Sequence, residues 1–223
     1  RRHRGLGDSF GEIMPLLPTA IQTYRSIATI RMYCYGEAVA IQDSDASRSE
    51  IIKAVWILIA HGGIEGVTFR RVAEQAGVSV GRVQHHFGTR DSLVRAACIA
   101  MIDGAHATYE ELPSDPITRL RHIVLHAVPD TPHTRFGTSV WYAYLAKSVD
   151  DPEIGRLLAE TKRGTEDECV RLLIPRPEAA PIARRLLALA DGLAVRVLVG
   201  DLSGAEARET LATELAVLTG QVD

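Results

Sequence analysis

The chain has 223 residues, of which 46% are hydrophobic and only 5% aromatic, and its formal net charge at pH 7 is −3. This length suits one small and one larger domain. The lack of any run of about 18 uncharged apolar residues excludes a membrane-spanning helix, and the slightly negative charge argues against a protein that coats nucleic acid without selectivity.

The residue types that bind metals show no convincing pattern. Cys34, Cys98 and Cys169 follow neither a metal-binding nor a disulfide spacing. Reduced thiols of this kind are typical of cytoplasmic proteins, so we expect a cytoplasmic location and no cofactor. His122 and His126 have the i, i+4 spacing of a metal-binding pair, but no third ligand is evident, so we predict no metal site.

The first 45 residues lack the periodic apolar pattern that forms a core. They begin with Arg1-Arg2-His3-Arg4, and the apolar stretch from Ile21 to Val39 is interrupted by two arginines and a glycine. That interruption also argues against a secretory signal. We therefore predict that residues 1–45 are a disordered or dispensable N-terminal extension, either a basic arm that touches DNA or the product of an upstream start site.

The first helical pattern begins just after this segment. Ser47-Arg48-Ser49-Glu50 has the spacing of a capping box, which marks the N-terminus of a helix. Apolar residues then recur with helical period from Ile51 to Ile59, and Gly62-Gly63 predicts the end of the helix.

Residues 68–87 predict two short helices joined by a tight turn. Thr68 and Ser79 can each cap a helix, because a hydroxyl accepts a hydrogen bond from a free backbone N–H. Gly77 suits the left-handed residue that ends the first helix. In the second helix, the residues predicted to face inward are Val83, His86 and Phe87, and those predicted to face outward are Val80, Gly81, Arg82, Gln84 and His85. This is the helix-turn-helix geometry that places the second helix in the major groove of DNA.

Residues 46–95 resemble the N-terminal domain of TetR-family transcriptional regulators. The resemblance rests on the Gly63 to Thr68 spacing, Ala73 before the turn, the segments Gly77 to Val83 and Gln84 to Phe87, and the cation Arg90. The family most often has tyrosine at the position of Gln84. The resemblance implies an all-α fold, with a three-helix DNA-binding domain over residues 46–95 and its helix-turn-helix motif over about 68–87. It also implies a helical effector-binding and dimerisation domain over residues 96–223.

The resemblance and the side-chain chemistry together assign DNA-contact roles. The residues expected at backbone phosphates are Thr68, Ser79, Gln84, His85 and Arg90, and those expected at base edges are Val80 and Arg82, with Gly81 allowing close approach. The charge distribution agrees, because residues 46–95 hold seven Lys/Arg and four Asp/Glu, whereas acidic residues outnumber basic ones after residue 95. The predicted DNA-binding domain (residues 46–95, the head) is therefore basic, and the predicted effector-binding domain (residues 96–223, the body) is acidic. This distribution favours attraction to DNA through one face.

The chain remains helical beyond residue 95. Asp115-Pro116 and Asp151-Pro152 each place a capping residue before a proline, which predicts the start of a helix. If the family pattern carries over, the helices between the head and the C-terminal pair enclose a pocket for a small-molecule effector of unknown chemistry. The predicted lining residues are Met101, His126, Phe136, Trp141, Tyr142 and Tyr144.

The last two predicted helices each carry an apolar stripe. The first stripe ends at Gly200, and Ser203-Gly204-Ala205-Glu206 is a capping box for the second helix. In the TetR family such a pair packs against the same pair of a second subunit. The residues predicted at a homodimer interface are Ile182, Leu186, Leu189, Leu193, Val197, Leu211, Leu215 and Leu218. The alternative is that these stripes close the core of the monomer.

The resemblance implies a ligand-responsive repressor, not an enzyme. It binds a palindromic operator in double-stranded DNA as a homodimer and is released by the effector. One alternative is a serine esterase, since Gly77-Val78-Ser79-Val80-Gly81 matches the G-x-S-x-G elbow, but that elbow needs a strand before the serine and the preceding residues have helical period. The other alternative is a helical protein-interaction module that does not bind DNA.

Overall fold

The computed structural model describes residues 41–220, with side chains described from residue 47 onward. All of the regular structure in this range is helical, and it comprises nine α-helices and one short 3₁₀ helix (Ile64–Gly66). The α-helices are α1 (Ile41–Gly62), α2 (Phe69–Ala76), α3 (Val80–Phe87), α4 (Arg90–Glu110), α5 (Pro116–His126), α6 (Pro132–Lys147), α7 (Pro152–Leu173), α8 (Ala179–Val199) and α9 (Gly204–Thr219). The predicted all-α class is confirmed, and none of these helices is long and apolar enough to cross a membrane.

The predicted turn between α2 and α3 forms as its residues require. Gly77 adopts a left-handed conformation at φ 65° and its N–H bonds back to α2. Thr68 and Ser79 occupy the N-cap positions of α2 and α3, where each side chain accepts a hydrogen bond from a backbone N–H three residues on. A non-glycine residue at position 77 would be strained, because side chains rarely tolerate positive φ.

The predicted start of the first helix was wrong. Helix α1 already includes Ile41, so Ser47 lies inside the helix and does not cap it. Glu50 instead pairs with Lys53 at 2.8 Å, and the hydroxyls of Ser47 and Ser49 are shielded, with no hydrogen-bond partner in the described part of the chain. The helix continues upstream because residues 41–46 contain neither glycine nor proline. The predicted boundary at residue 45 therefore falls within α1, and residues 1–40 of the predicted extension lie outside the described residues.

The helix starts of the body follow their capping residues. Asp115, Asp151 and Ser203 accept hydrogen bonds from the first turns of α5, α7 and α9, as predicted. The sequence reading missed the capping box between Thr131 and Thr134, which starts α6 at Pro132.

Two clusters of buried side chains hold the helices together. One joins α1–α4 and includes Tyr144 from α6 and Ile154 and Leu158 from α7, so the head shares its core with the body. The other joins α5, α7, α8 and α9. Because the first cluster crosses from head to body, a shift of the body helices bears directly on the DNA-reading end.

Candidate DNA-binding surface and effector cavity

Helix α3 presents one face to solvent and buries the other. Val83 is fully buried and Phe87 is 7% exposed, so they anchor the helix to the head. The exposed residues of α3 are Val80, Gly81, Arg82, Gln84 and His85, as predicted. This face offers a cation, an amide, an imidazole and a small apolar side chain, which together suit phosphates, base edges and the thymine methyl group.

Gly81 lies at the centre of this exposed face. A β-carbon added there would meet no atom within 4 Å among the described residues. Glycine is therefore not required by packing within the subunit, although it weakens the helix. The missing side chain leaves room for the helix backbone to approach another surface closely.

The Arg90 side chain points into the head. Its Nε donates to the carbonyl oxygen of Val67 and its Nη2 to that of Ile64, each at 2.7 Å. Nη2 also lies 3.3 Å from the Glu65 carboxylate. These bonds fasten the 3₁₀ turn between α1 and α2 to the start of α4, so Arg90 positions the motif, and its predicted phosphate contact stays a prediction.

Arg71 fastens the same turn. Its Nη1 donates to the carbonyl oxygen of Gly66 at 2.8 Å, although the side chain is largely exposed. The sequence pattern did not separate Arg71 from its exposed neighbour Arg70, since both are basic residues in the first turn of a helix.

A cavity of about 290 Å³ lies in the body between α4, α5, α6, α7 and α8. Five of the six predicted lining residues contribute to its wall: Met101, His126, Phe136, Trp141 and Tyr142. Tyr144 does not, and this assignment was wrong. Tyr144 is fully buried in the head–body core, where its hydroxyl donates to the Val94 carbonyl oxygen at 3.0 Å. Tyr142 and Tyr144 lie on different sides of α6, one facing the cavity and the other facing the head. The spacing of the aromatic residues did not predict this difference.

One end of the cavity is polar. The Lys162 ammonium lies 2.5 and 2.7 Å from the two carboxylate oxygens of Asp191, joining α7 to α8. It also lies 5.6 Å from the ring centroid of Trp141. The Tyr142 hydroxyl donates to the backbone carbonyl oxygen of Asp191 at 2.9 Å. Burial, together with the nearby Asp191 charge, raises the pKa of Tyr142 to about 12, so this hydroxyl stays neutral at physiological pH.

Two stacked histidines beside the cavity, His122 and His126, have pKa values below that of a free histidine. His126 is accessible to solvent at the cavity wall, but desolvation by the surrounding helices lowers its pKa, and the charges of His122, Arg208 and His133 lower it further. The His122 and His126 rings stack with centroids 5.3 Å apart. No group of three His, Cys, Asp or Glu side chains within the described residues is placed to hold a metal ion.

The cavity wall includes one residue of the head, Trp56 of α1. Its indole Nε1 donates to the carbonyl oxygen of Ala97 in α4 at 2.9 Å. The sequence reading missed Trp56, Lys162 and Asp191 as cavity residues. The apolar period of α1 predicts a core position for Trp56. The polar residues around Lys162 and Asp191 are typical of solvent-exposed helix faces.

A second contact ties the head to the body. The Arg95 guanidinium on α4 lies 3.1 Å from the carboxylate of Asp151, which also caps α7. Burial alone raises the pKa of Asp151, but backbone N–H groups of Ile154 and Glu153 and the Arg95 charge outweigh this and keep the pKa below its usual range. The contact is therefore ionic at neutral pH.

Most of the predicted dimer stripe lies inside the subunit. Six of the residues predicted at the dimer interface are instead at most 6% exposed and belong to the buried cluster that joins α5, α7, α8 and α9: Ile182, Leu186, Leu193, Val197, Leu211 and Leu215. The prediction that they meet a second subunit was wrong. Leu189 and Leu218 are partly buried. The period of 3.6 shows which residues share a face but not whether that face meets the same chain or another.

The outward side of α8 carries a different seam. Ala188, Gly192, Val195 and Val199 are exposed and recur at spacings of four, three and four residues. A shallow groove beside it, between α8 and α9, is lined by Arg185, Leu189, Glu206, Glu209, Thr210, Thr213 and Glu214.

Comparison with known proteins gives matches over most of the described range. Residues 51–97 match the family model described as bacterial regulatory proteins of the tetR family, and residues 116–220 match that of the BetI-type transcriptional repressor C-terminal domain. The HTH-type transcriptional regulator BetI of Stenotrophomonas maltophilia is 34% identical over 173 residues, covering 74% of this chain and 88% of that protein.

Two solved structures share the fold. A transcriptional regulator from a Rhodococcus species superposes with a TM-score of 0.72 at 26% identity, covering 78% of this chain and 97% of that one. A protein of Saccharomonospora viridis solved in complex with choline superposes with a TM-score of 0.66 at 24% identity, covering 75% and 94%.

Proposed function

The chain belongs to the TetR family of transcriptional regulators, in its BetI-type branch, and we propose that it is a repressor controlled by a small organic cation. It binds DNA through its helix-turn-helix domain. The operator is palindromic, the working form is a homodimer, and a ligand of the choline type in the body cavity weakens operator binding.

Membership of this family excludes the serine-esterase reading, because these regulators are not enzymes. The local geometry gives another explanation for the match of residues 77–81 to the G-x-S-x-G pattern. Ser79 is the N-cap of α3, and its hydroxyl oxygen accepts a hydrogen bond from the Arg82 N–H at 3.2 Å. The G-x-S-x-G pattern here is a helix-turn-helix turn.

The observation that carries the repressor proposal is the exposed face of α3. Its polar and small side chains are exposed, whereas Val83 and Phe87 on the opposite face are buried. A helix of two turns contacts too few bases to select one site alone, so two heads related by two-fold symmetry are expected to read two half-sites.

The outward seam of α8 supports the homodimer. Small residues at Ala188 and Gly192 allow two helices to approach closely, and Val195 and Val199 supply apolar area. Arg185 lines the neighbouring groove together with Glu206, Glu209 and Glu214. A surface that combines an arginine with carboxylates beside an apolar seam can complement a second copy of itself, as an isologous contact requires.

The cavity supports an organic cation as the ligand. Its wall includes the aromatic rings of Trp141, Phe136 and Tyr142, and the Asp191 carboxylate lies at its polar end. Aromatic faces and a carboxylate are the groups that bind quaternary ammonium ions. The choline complex of the structural neighbour from Saccharomonospora viridis makes choline the first probe to use.

The route from cavity to DNA runs through Trp56 and α4. A ligand that prefers one position of this indole also prefers one position of Ala97, because the two are hydrogen-bonded. Ligand binding then shifts the population toward a head spacing that does not match the two half-sites, and operator affinity falls.

A direct test is a fluorescence-anisotropy titration of the full chain against DNA from beside its own gene, with a scrambled duplex at the same salt concentration. The proposal predicts selective binding with two protomers, or a multiple of two, per site. Equal affinity for the two duplexes, repeated in a selection from random DNA, would contradict the repressor role and favour a helical protein-interaction module.

A further inference from the structure

We propose that Lys162 is a built-in competitor of the effector, whose ammonium group occupies the cation site of the cavity between the Trp141 ring and the Asp191 carboxylate. This inference rests on the proposed function, since it concerns the same cavity. Displacement of the Lys162 ammonium is then a step in effector binding, and it sets the concentration at which the regulator responds.

The position of Lys162 is that of a bound cation. Its Nζ contacts both carboxylate oxygens of Asp191, at 2.5 and 2.7 Å, and lies 5.6 Å from the centroid of the Trp141 ring. A cation within about 6 Å of an aromatic centroid is attracted by the negative face of the ring. A ligand ammonium seeking the same ring and carboxylate would meet this charge first.

Four hydroxyl groups of the cavity wall favour a cation over an anion. The hydroxyls of Thr138, Thr161 and Thr165 each donate to a carbonyl oxygen of their own helix at 2.9 Å. The Tyr142 hydroxyl proton is also engaged, by the backbone oxygen of Asp191. Because each of these four hydroxyls already donates its proton, it can only accept a hydrogen bond from a ligand. This suits a ligand that is positively charged or that donates hydrogen bonds.

Lys162 can leave this position without disrupting the fold. The side chains of Lys162 and Asp191 are 40% and 42% exposed, so the ion pair is open to solvent. Ion pairs of this exposure contribute little to stability. The flexible four-carbon stem of lysine allows the ammonium to move into water while Asp191 accepts another cation.

The test compares two probes of the same shape on the full-length protein, by isothermal titration calorimetry at fixed salt. Choline carries a quaternary ammonium, and 3,3-dimethylbutan-1-ol is its uncharged carbon analogue. Lys162→Met removes the charge but keeps the stem. Arg163→Met is the matched control, because it removes a positive charge from the exposed side of the same helix. Thermal melting checks that each variant is folded.

The inference predicts that Lys162→Met tightens choline binding by about tenfold or more, because a like charge at the site is removed, and changes binding of the neutral alcohol far less. Arg163→Met should leave the affinity for both probes near that of the wild type. Adding Asp191→Asn to Lys162→Met should abolish the gain, since the carboxylate that attracts choline is then absent.

Three results would overturn the inference. An unchanged or weaker choline affinity in Lys162→Met would show that Lys162 does not compete. Equal tightening of both probes would show that Lys162 only fills space. Binding of hexanoate by the wild type that is lost in Lys162→Met would show that Lys162 is the anchor for an anion.

An operator titration on the same preparations separates this inference from the proposed function. Selective operator binding that choline weakens, with no gain in choline affinity on Lys162→Met, overturns only the role of Lys162. If the protein binds its operator selectively but neither the wild type nor Lys162→Met binds choline, both the role of Lys162 and the organic-cation effector are overturned. The proposal of a DNA-binding repressor is then unaffected.

Discussion

The indole of Trp56 donates a 2.9 Å hydrogen bond to the carbonyl oxygen of Ala97, and the same indole forms part of the cavity wall. Trp56 belongs to the first helix of the DNA-binding head, and Ala97 belongs to the helix that continues into the body. Trp56 therefore offers the proposed effector a contact with the head, and this contact would be a short physical path from the cavity to the DNA-binding surface.

Trp56→Phe should weaken the response to effector more than it weakens DNA binding. The variant loses the bond to Ala97, which is expected to lower the free energy of unfolding by about 1 kcal/mol. The measurement is operator affinity with and without choline. Tyr144→Phe is a matched control, since it also removes one bond to a carbonyl oxygen of α4, that of Val94, but lies outside the cavity. Equal loss of the choline response in both variants would contradict the role of Trp56.

Gly81→Ala should stabilise the protein and impair DNA binding. A methyl group has room at this position within the subunit, so removing a helical glycine should raise the free energy of unfolding by up to about 1 kcal/mol. Operator binding should weaken by about tenfold or more, because the added carbon holds α3 away from the groove. Gly164→Ala, on α7, also has open space and should give the stability gain alone. Unimpaired operator binding by Gly81→Ala would contradict the placement of α3 in the groove.

Arg82 and Arg90 should differ in the kind of damage that their loss causes. Arg82 is exposed on α3, so Arg82→Ala should relax sequence preference at a cost of about 1–3 kcal/mol in binding and leave thermal stability unchanged. Arg90→Ala should lower the free energy of unfolding by about 1–3 kcal/mol, because two carbonyl oxygens lose a charged donor. Chemical denaturation and a panel of operator variants measure both effects. A stable Arg90→Ala protein with a reduced salt dependence of binding would instead favour the phosphate contact.

Val195→Asp should separate the subunits. Val195 is 42% exposed at the centre of the α8 seam, and a buried unpaired carboxylate at a two-fold contact is strongly unfavourable. Sedimentation should give about twice the 24.3 kDa chain mass for the wild type and the single-chain mass for the variant. Val149→Asp, at an 89% exposed site after α6, should leave the dimer intact. A dimeric Val195→Asp protein would place the interface elsewhere.

Acid should destabilise the fold partly through His126. Desolvation by the surrounding helices lowers the pKa of His126 in the folded state, so below the unfolded value of about 6.5 the unfolded chain binds a proton more readily than the folded chain does. The free energy of unfolding therefore falls as the pH drops from about 6.5 toward the folded pKa. His126→Gln should show a smaller decline between pH 7.5 and 5.0 in urea titrations. His85→Gln, on the exposed face of α3 and away from the cavity, should retain the full decline, and an equal decline in all three proteins would contradict this account.

Local signals in the sequence predicted the head well. The turn at Gly77 and the caps at Thr68 and Ser79 are set by residues within a few positions of one another, so spacing alone fixes them. The same kind of signal was misleading at Ser47, because a serine three residues before a glutamate also fits a helix interior. A residue caps a helix only where the chain before it is not helical, and the capping-box pattern does not predict that.

The other predictions that failed depended on which surface a helix presents to its neighbours. Leu186 and Leu193 fit a dimer stripe equally well as a monomer core, and the structure places them in the core. The outward seam at Gly192 gave little signal, because small residues have little apolar area. Lys162 and Asp191 are 29 positions apart in the sequence and lie on different helices, so spacing along one helix cannot show their contact.

The most direct test of the account is the affinity for a labelled operator duplex measured with and without choline at fixed salt, with choline saturation followed by tryptophan fluorescence. The account predicts that saturation weakens operator binding by about tenfold or more, and that operator DNA weakens choline binding by the same factor. Full operator affinity in a protein saturated with choline would contradict control of DNA binding through the cavity.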